Sequence, residues 1–120
     1  MNYKKLSGVY CITSIDGFYY IGYSTNVFSR FSGHYNMLIT GKHHSSKFQE
    51  HYNNLPSMQF WTLHILVEYS IEEFKASTGY KGKQLKRQFR RHLNSLEKEE
   101  MSKCHIDLAL NSQNKHFSRE

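Results

Sequence analysis

The chain has 120 residues, with 16 lysines and arginines against ten acidic residues, a formal net charge of +6. That length favours one domain, and the absence of a long apolar run or an apolar leader argues against a membrane protein and a secreted one. Two distant cysteines, Cys11 and Cys104, leave room for one bridge at most and show no metal-binding spacing, which argues against a disulfide framework. We expect a soluble, cytoplasmic protein whose positive charge suits a polyanion.

Two β-prone runs, residues 9–13 and 18–21, open the chain. Asp16-Gly17 between them is typical of a tight turn, which predicts an antiparallel hairpin. Ser24-Thr25-Asn26 then offers helix-capping side chains, and apolar residues recur at helical spacing until Thr40-Gly41. A second short helix is predicted to start at His44-Ser45-Ser46 and to stop before Pro56.

Residues 60–69, FWTLHILVEY, form the clearest strand in the sequence. Apolar side chains at both alternating positions predict a central place in the sheet. Residues 70–74 resemble a helix start, residues 77–82 a loop, and residues 84–103 a long helix with an apolar stripe. Residues 106–110 are compatible with a short last strand, and the polar end of the chain is expected to fray.

The predicted element order is β-β-α-α-β-α. It indicates an α/β, or more specifically α+β, fold in which helices flank a small three-stranded sheet, mixed or antiparallel. We expect one domain over residues 1–112 and a polar tail over residues 113–120.

Each strand of the predicted hairpin carries a tyrosine and a glycine, in Gly8-Val9-Tyr10 and in Tyr20-Ile21-Gly22. Paired strands can bring the two phenols together, and the glycines let other groups approach the backbone. Arg30 and His34 share a face of the next helix at i, i+4 spacing. An arginine beside phenols can clamp a phosphate, although a solvated surface arginine is the commoner use.

The long helix adds carboxylates and a dense run of positive charge. LEKEEM contains Glu97, Glu99 and Glu100, and a helical projection places Glu99 near one edge of the apolar stripe. The basic residues can follow a phosphate backbone or simply face solvent; the candidates are Lys81, Lys83, Lys86, Arg87, Arg90 and Arg91. No carboxylate or cysteine stands at ligand spacing beside His43, His44 or His51, so we do not expect a zinc site there.

In this order, the motifs resemble those of the GIY-YIG nucleases over nearly the whole chain. The resemblance also covers residues 41–49, GKHHSSKFQ, which look like the helix start of phage homing members and add His44 to the candidate DNA contacts. It favours Glu99 as the helix glutamate, because a polar residue and then Met101 follow it. The remaining matched positions are Gly8, Tyr10, Tyr20, Gly22, Arg30, His34 and Asn111.

The resemblance implies a metal-dependent DNA endonuclease with one Mg²⁺ or Mn²⁺ per active site, held by Glu99. Arg30 would then neutralise the scissile phosphate, with Tyr10 as first and Tyr20 as second choice of general base. His34 would hydrogen-bond a tyrosine or a phosphate oxygen.

The remaining motif residues, Gly8, Gly22 and Asn111, would be structural. The basic run would contact DNA through Lys83, Lys86, Arg87, Arg90 and Arg91. A phage or mobile-element origin would place the protein in the host-cell cytoplasm.

Two departures keep other functions open. Residues 75–91 look like an insertion relative to a minimal domain, and no separate DNA-reading region is recognised. The protein could therefore act as a homodimer, depend on a partner for specificity, or be a binding module or regulatory subunit that does not cut.

Overall fold

The computed structural model describes residues 5–112 and 115–119 of the chain. Three antiparallel strands and four helices form a mixed α+β fold, as the sequence predicted, with two short 3₁₀ turns at Met58–Phe60 and Ile106–Leu108. In chain order the elements are β1 (Gly8–Ser14), β2 (Tyr19–Ser24), α1 (Val27–Ile39), α2 (Ser46–Asn54), β3 (Trp61–Glu68), α3 (Ile71–Thr78) and α4 (Gly82–Ser102).

The sheet has the order β2-β1-β3, so β1 is its central strand. The predicted hairpin forms with Tyr10 opposite Gly22. On the other side of β1, Gly8 lies so close to β3 that an added Cβ would stand 2.9 Å from the carbonyl carbon of Val67. The first motif glycine therefore permits strand pairing next to a β-bulge at Val9/Tyr10.

The expectation that residues 60–69 form the central strand was wrong, because β3 is an edge strand. Leu63 packs on one face of the sheet and Val67 on the other, because the register shift opposite Val9/Tyr10 interrupts the alternation of side chains between them. Ile65 and Leu66 remain 36% and 39% exposed. Apolar composition alone did not distinguish a strand with two neighbours from a strand with one.

The sheet separates two layers of the core. On one face Tyr10 and Ile12 of β1 pack with residues of α1 and α2, including Phe48. On the other face Val9 and Cys11 pack with Met101 of α4. A third cluster, formed by Phe74, Phe89 and Leu93, joins α3 to α4. The helices are thereby held at fixed positions over the strands that carry the tyrosines.

Local capping explains where the helices begin. The side chains of Asn26, Ser45 and Ser70 accept hydrogen bonds from the backbone of Ser29, Phe48 and Glu73, respectively. The starts predicted for the first two helices are thus confirmed. The loop predicted from residue 77 begins later than expected, because α3 continues to Thr78 and ends at Gly79, whose φ is +76°.

The C-terminal part differs from the sequence prediction. Residues 106–108 form a 3₁₀ turn instead of a strand, and Ala109 makes a single bridge to Tyr19. The end of the chain does not fray over residues 115–119, since Phe117 is only 4% exposed and Ser118 forms a bridge with His105. Residues 113, 114 and 120 of the expected tail lie outside the described part.

No helix in the described part of the chain is both long and apolar enough to cross a bilayer. Both cysteines are free thiols, Cys11 inside the core and Cys104 at its margin.

Candidate active site

Three consecutive elements from the start of the chain and the long helix α4 meet at one open pocket of about 550 Å³. Tyr10 comes from β1, Tyr20 from β2, Arg30 from α1 and Glu97 from α4. The hairpin provides the floor, and the two helices provide one positive and one negative side chain. The expected convergence of phenols, an arginine and a helix carboxylate is therefore present, but with a different glutamate.

The glutamate favoured by the sequence, Glu99, does not reach this pocket. Its side chain is exposed on the outer face of α4, whereas Glu97 lines the pocket. Two residues correspond to about 200° around an α-helix, so the two carboxylates point in nearly opposite directions. Glu97 stands one turn from both Leu93 and Met101, which are buried, and it therefore shares the face that packs on the sheet.

Gly22 gives the Tyr10 phenol its place in the pocket. A Cβ at this position would lie 2.6 Å from Cζ of Tyr10, well inside van der Waals contact. The ring crosses the backbone of β2 at the point where no side chain obstructs it. The second motif glycine thus makes room for the first motif tyrosine.

A chain of hydrogen-bonded imidazoles runs from the α1–α2 loop to Tyr10. Nε2 of His34 lies 2.6 Å from the Tyr10 hydroxyl, and Nδ1 of His34 lies 2.7 Å from Nε2 of His43. Nδ1 of His43 accepts a hydrogen bond from the backbone N–H of Ser45 at 2.9 Å. Burial lowers the pKa of His34 to about 3 and that of His43 to about 4, so both imidazoles are neutral near pH 7.

The hydrogen bond between Ser45 and His43 determines which atoms donate and which accept along this series of imidazoles. Since the N–H of Ser45 can only donate, Nδ1 of His43 carries no proton and Nε2 of His43 carries it. The Nε2 proton is then donated to Nδ1 of His34, which leaves the His34 proton on Nε2. The Tyr10 hydroxyl oxygen therefore accepts a hydrogen bond from His34 and keeps its own proton free for another acceptor.

Arg30 is the main positive charge beside the phenols. Burial raises the pKa of both Tyr10 and Tyr20, and the Arg30 guanidinium partly offsets this by favouring the phenolate. Tyr20 also makes a 3.2 Å hydrogen bond with Nε2 of His44, which is exposed at the edge of the site. Both phenols are buried, at 1% exposure for Tyr10 and 8% for Tyr20, and both line the pocket together with Arg30.

The environment of Glu97 disfavours its charged form. Burial raises its pKa to about 7, while a backbone hydrogen bond from Tyr23 and the charge of Lys98 act in the opposite direction. Among the described residues no cation forms an ion pair with it. A positive ion bound beside Glu97 would stabilise its charged form.

Asn111 holds the backbone of β2 from outside the sheet. Its Nδ2 donates to the carbonyl of Ile21 at 2.7 Å, and its Oδ1 accepts from the N–H of Ile21 at 3.1 Å. The side chain thus makes the two hydrogen bonds that a neighbouring strand would otherwise make to the backbone of Ile21. This position agrees with the structural use expected for Asn111.

The basic residues of α4 form a groove next to the pocket. It is lined by a tyrosine, an asparagine and five cations: Tyr23, Asn94, Lys83, Lys86, Arg87, Arg90 and Arg91. Tyr23 and Arg90 also line the pocket, so the groove and the pocket are continuous. We call this surface the α4 groove.

The sequence did not assign three members of the site. Glu97 was one of three candidate glutamates, and its buried neighbours four residues before and after it, Leu93 and Met101, could have favoured it over Glu99. His43 was considered only as a metal ligand, and its hydrogen bond to His34 depends on how the loop before α2 folds back. Tyr23 carried no signal apart from its proximity to Gly22.

Searches with family models found no match, and no curated protein matched the sequence. A comparison with solved structures found similar folds. A glutamate-to-alanine variant of the catalytic domain of intron endonuclease I-TevI superposes with a TM-score of 0.56 at 21% identity, covering 94% of this chain and 99% of that one. The chain has the fold of the I-TevI catalytic domain.

A second structure of that domain, described as the catalytic domain of homing endonuclease I-TevI, has a TM-score of 0.49 at 20% identity. It covers 78% of this chain and 91% of that one. I-TevI is a GIY-YIG nuclease, so the resemblance recognised in the motifs is confirmed at the level of the fold.

Proposed function

We propose that this protein is a metal-dependent DNA endonuclease of the GIY-YIG type. The observation that carries the proposal is the convergence of Tyr10, Tyr20, Arg30 and Glu97 on one pocket. These residues come from four separate elements, and nothing in packing alone requires an arginine, a carboxylate and two phenols at one place. The I-TevI fold supports the same conclusion.

Glu97 is the residue that would hold a divalent cation. In the described part of the chain no three His, Cys, Asp or Glu side chains come together as a metal cage. Mg²⁺ and Mn²⁺ do not need one, because a hard cation keeps several waters and shares its remaining positions between a carboxylate and substrate phosphate. When bound there, such a cation would polarise the phosphate and stabilise the leaving 3′ oxygen.

Arg30 is placed to bind the scissile phosphate. It is exposed at the pocket mouth and faces both phenols. A guanidinium can donate two hydrogen bonds to phosphate oxygens and counter the charge that develops on them during attack by water. It would also orient the phosphate with respect to Tyr10.

Tyr10 is the favoured general base and Tyr20 the second choice. The Nε2 proton of His34 is directed at the Tyr10 oxygen, so this oxygen is stabilised as it gains negative charge. Burial raises the pKa of Tyr10, so its phenol would first release its proton to solvent at the pocket, and the nearby Arg30 partly offsets that cost. The phenolate would then accept a proton from the attacking water. Because His34 is already protonated on the nitrogen that faces Tyr10, its role is to donate rather than to receive the proton.

The α4 groove is the proposed DNA contact. Its five cations lie along one side of the helix and lead to the pocket through Arg90. Lys83 and Glu97 are separated by about 21 Å of helix, which corresponds to about six base steps of B-DNA. The groove would hold backbone phosphates and give affinity without reading a sequence.

The test is cleavage of supercoiled plasmid with Mg²⁺ or with chelator by the wild type and three variants. We expect Glu97→Gln and Arg30→Ala to lower the rate at least about 100-fold. Glu99→Gln is the matched control, since it removes an exposed charge two residues away, and it should change the rate by no more than about twofold. Binding without metal-dependent cutting in the wild type would instead support a module that holds DNA.

A further inference from the structure

A second cavity, of about 360 Å³, adjoins the pocket at Glu97. Tyr20 and Glu97 line both spaces, and Asn94 lines both this cavity and the α4 groove. The α4 groove and the second cavity therefore lie one after the other along α4. The pocket lies beside the place where they meet. The motif residues that line the second cavity are Tyr20, Ile21 and Asn111, and the Asn111 amide is already bonded to Ile21.

The cavity is positively charged. Lys98, Lys115 and His116 line it, and Glu97 is the only carboxylate among the described residues that do so. Neither lysine forms an ion pair with a described residue. Two ammonium groups, an imidazole and the Asn94 amide form a set of donors that suits a phosphate.

Tertiary packing brings Lys115 and His116 to this place. The next residue, Phe117, is buried against Tyr19, with ring centroids 5.9 Å apart. Ser118 then exchanges backbone hydrogen bonds with the segment after α4, donating to the carbonyl of Cys104 and accepting from Ile106. The two cationic residues are therefore anchored from one side and do not belong to a freely moving tail.

We propose that this cavity is a subsite for a DNA backbone phosphate beyond the scissile phosphate, on the side away from the α4 groove. The inference rests on the proposed function and extends it. A strand would be held by Arg90 and its neighbours before the pocket and by Lys98, Lys115 and His116 after it. Arg90 and Lys98 are about 12 Å apart along the helix, a span of three to four base steps.

Holding a strand on both sides of the reacting phosphate restricts its direction and its distance from Tyr10 and Arg30. Orientation of this kind lowers the entropy that must be lost in the transition state. The subsite thus contributes both to affinity and to the rate of cutting.

The experiment compares the Lys98→Ala/Lys115→Ala double variant with the wild type and with a charge-matched control, Lys42→Ala/Lys75→Ala. All four lysines are exposed, and the control pair lines none of the three cavities. Binding of a short labelled DNA duplex of mixed sequence is measured by fluorescence anisotropy over a range of salt, without divalent cations.

We expect the slope of log affinity against log salt to become less steep by about one unit in the subsite variant, because one backbone phosphate is no longer neutralised, and to change much less in the control. Equal slopes in the subsite and control variants would overturn the proposal. Plasmid cutting by the wild type is scored separately. A protein that shows the slope change but never cuts would retain the subsite and refute the nuclease.

Discussion

The Tyr10 hydroxyl lies 2.6 Å from Nε2 of His34, and both side chains are almost completely buried, at 1% and 0% exposure. This contact joins the central strand to the first helix in the interior of the protein. Through His43 it continues to the loop before α2. A buried phenol thus has its hydrogen-bond environment set by residues that never face the pocket.

We predict that His43→Phe slows cutting by about tenfold without weakening DNA binding. Phenylalanine keeps a ring at this position but has no N–H, so the variant loses the donor that fixes the tautomer of His34, and the hydrogen bond to Tyr10 is then no longer enforced. The rate at saturating DNA and the affinity are measured separately. His64→Phe is the control, since His64 is exposed and bonds only Thr13 in the described contacts. A loss of equal size in both variants would refute the positioning role.

Gly22→Ala should abolish cutting and lower stability by about 1–3 kcal/mol. The added methyl group overlaps the Tyr10 ring and forces either the ring or β2 to move. Gly33→Ala is the matched comparison, because no atom lies within 4 Å of a Cβ built there, and an alanine inside α1 should stabilise the helix by about 0.5–1 kcal/mol. Urea unfolding of both variants measures the difference; an active Gly22→Ala protein would contradict the packing argument.

Glu97→Gln should stabilise the metal-free protein at pH 8 while it removes activity. The pKa of Glu97 is raised from 4.5 to about 7, so between these values the folded state holds a proton that the unfolded state has released. Stability therefore decreases as pH rises through this window, and the neutral amide avoids the loss. We expect a gain of about 1–2 kcal/mol, allowing for solvent screening.

The measurement is urea unfolding at pH 5 and pH 8 in chelator. The advantage of the glutamine variant should be small at pH 5 and fully developed at pH 8. Addition of Mg²⁺ should stabilise the wild type at pH 8 more than the variant, since ligand binding to the folded state adds to its stability. The same advantage at both pH values would contradict the assigned pKa.

The folded protein should lose stability in acid because His34 and His43 are buried in their neutral forms. The pKa values of His34 and His43 are lowered to about 3 and about 4, so below pH 6.5 the unfolded state takes up protons that the folded state does not. Stability is then lost as pH falls from 6.5 towards 4. His43→Gln removes one of these groups and should show a shallower decline over that range in urea unfolding. A decline as steep as that of the wild type would show that His43 is not neutral in the folded state.

Local signals in the sequence were sufficient for much of this fold. Asp16-Gly17 predicts the hairpin turn, and Asn26 and Ser45 mark helix starts, because turns and caps involve residues only two or three positions apart. The i, i+4 spacing of Arg30 and His34 likewise places them on one face of α1. These features depend on bond geometry and hydrogen bonds within a single segment.

The choice between Glu97 and Glu99 depended on the rotation of α4 against the sheet. That rotation is set by where Leu93 and Met101 are buried, which involves strands 70 or more residues earlier in the chain. The edge position of β3 depended in the same way on which strands pair with β1. Lys115 and His116 reach Glu97 only because Phe117 enters the core. Contacts between distant segments decided these points, since burial free energy depends on the whole packed assembly rather than on any short stretch of residues.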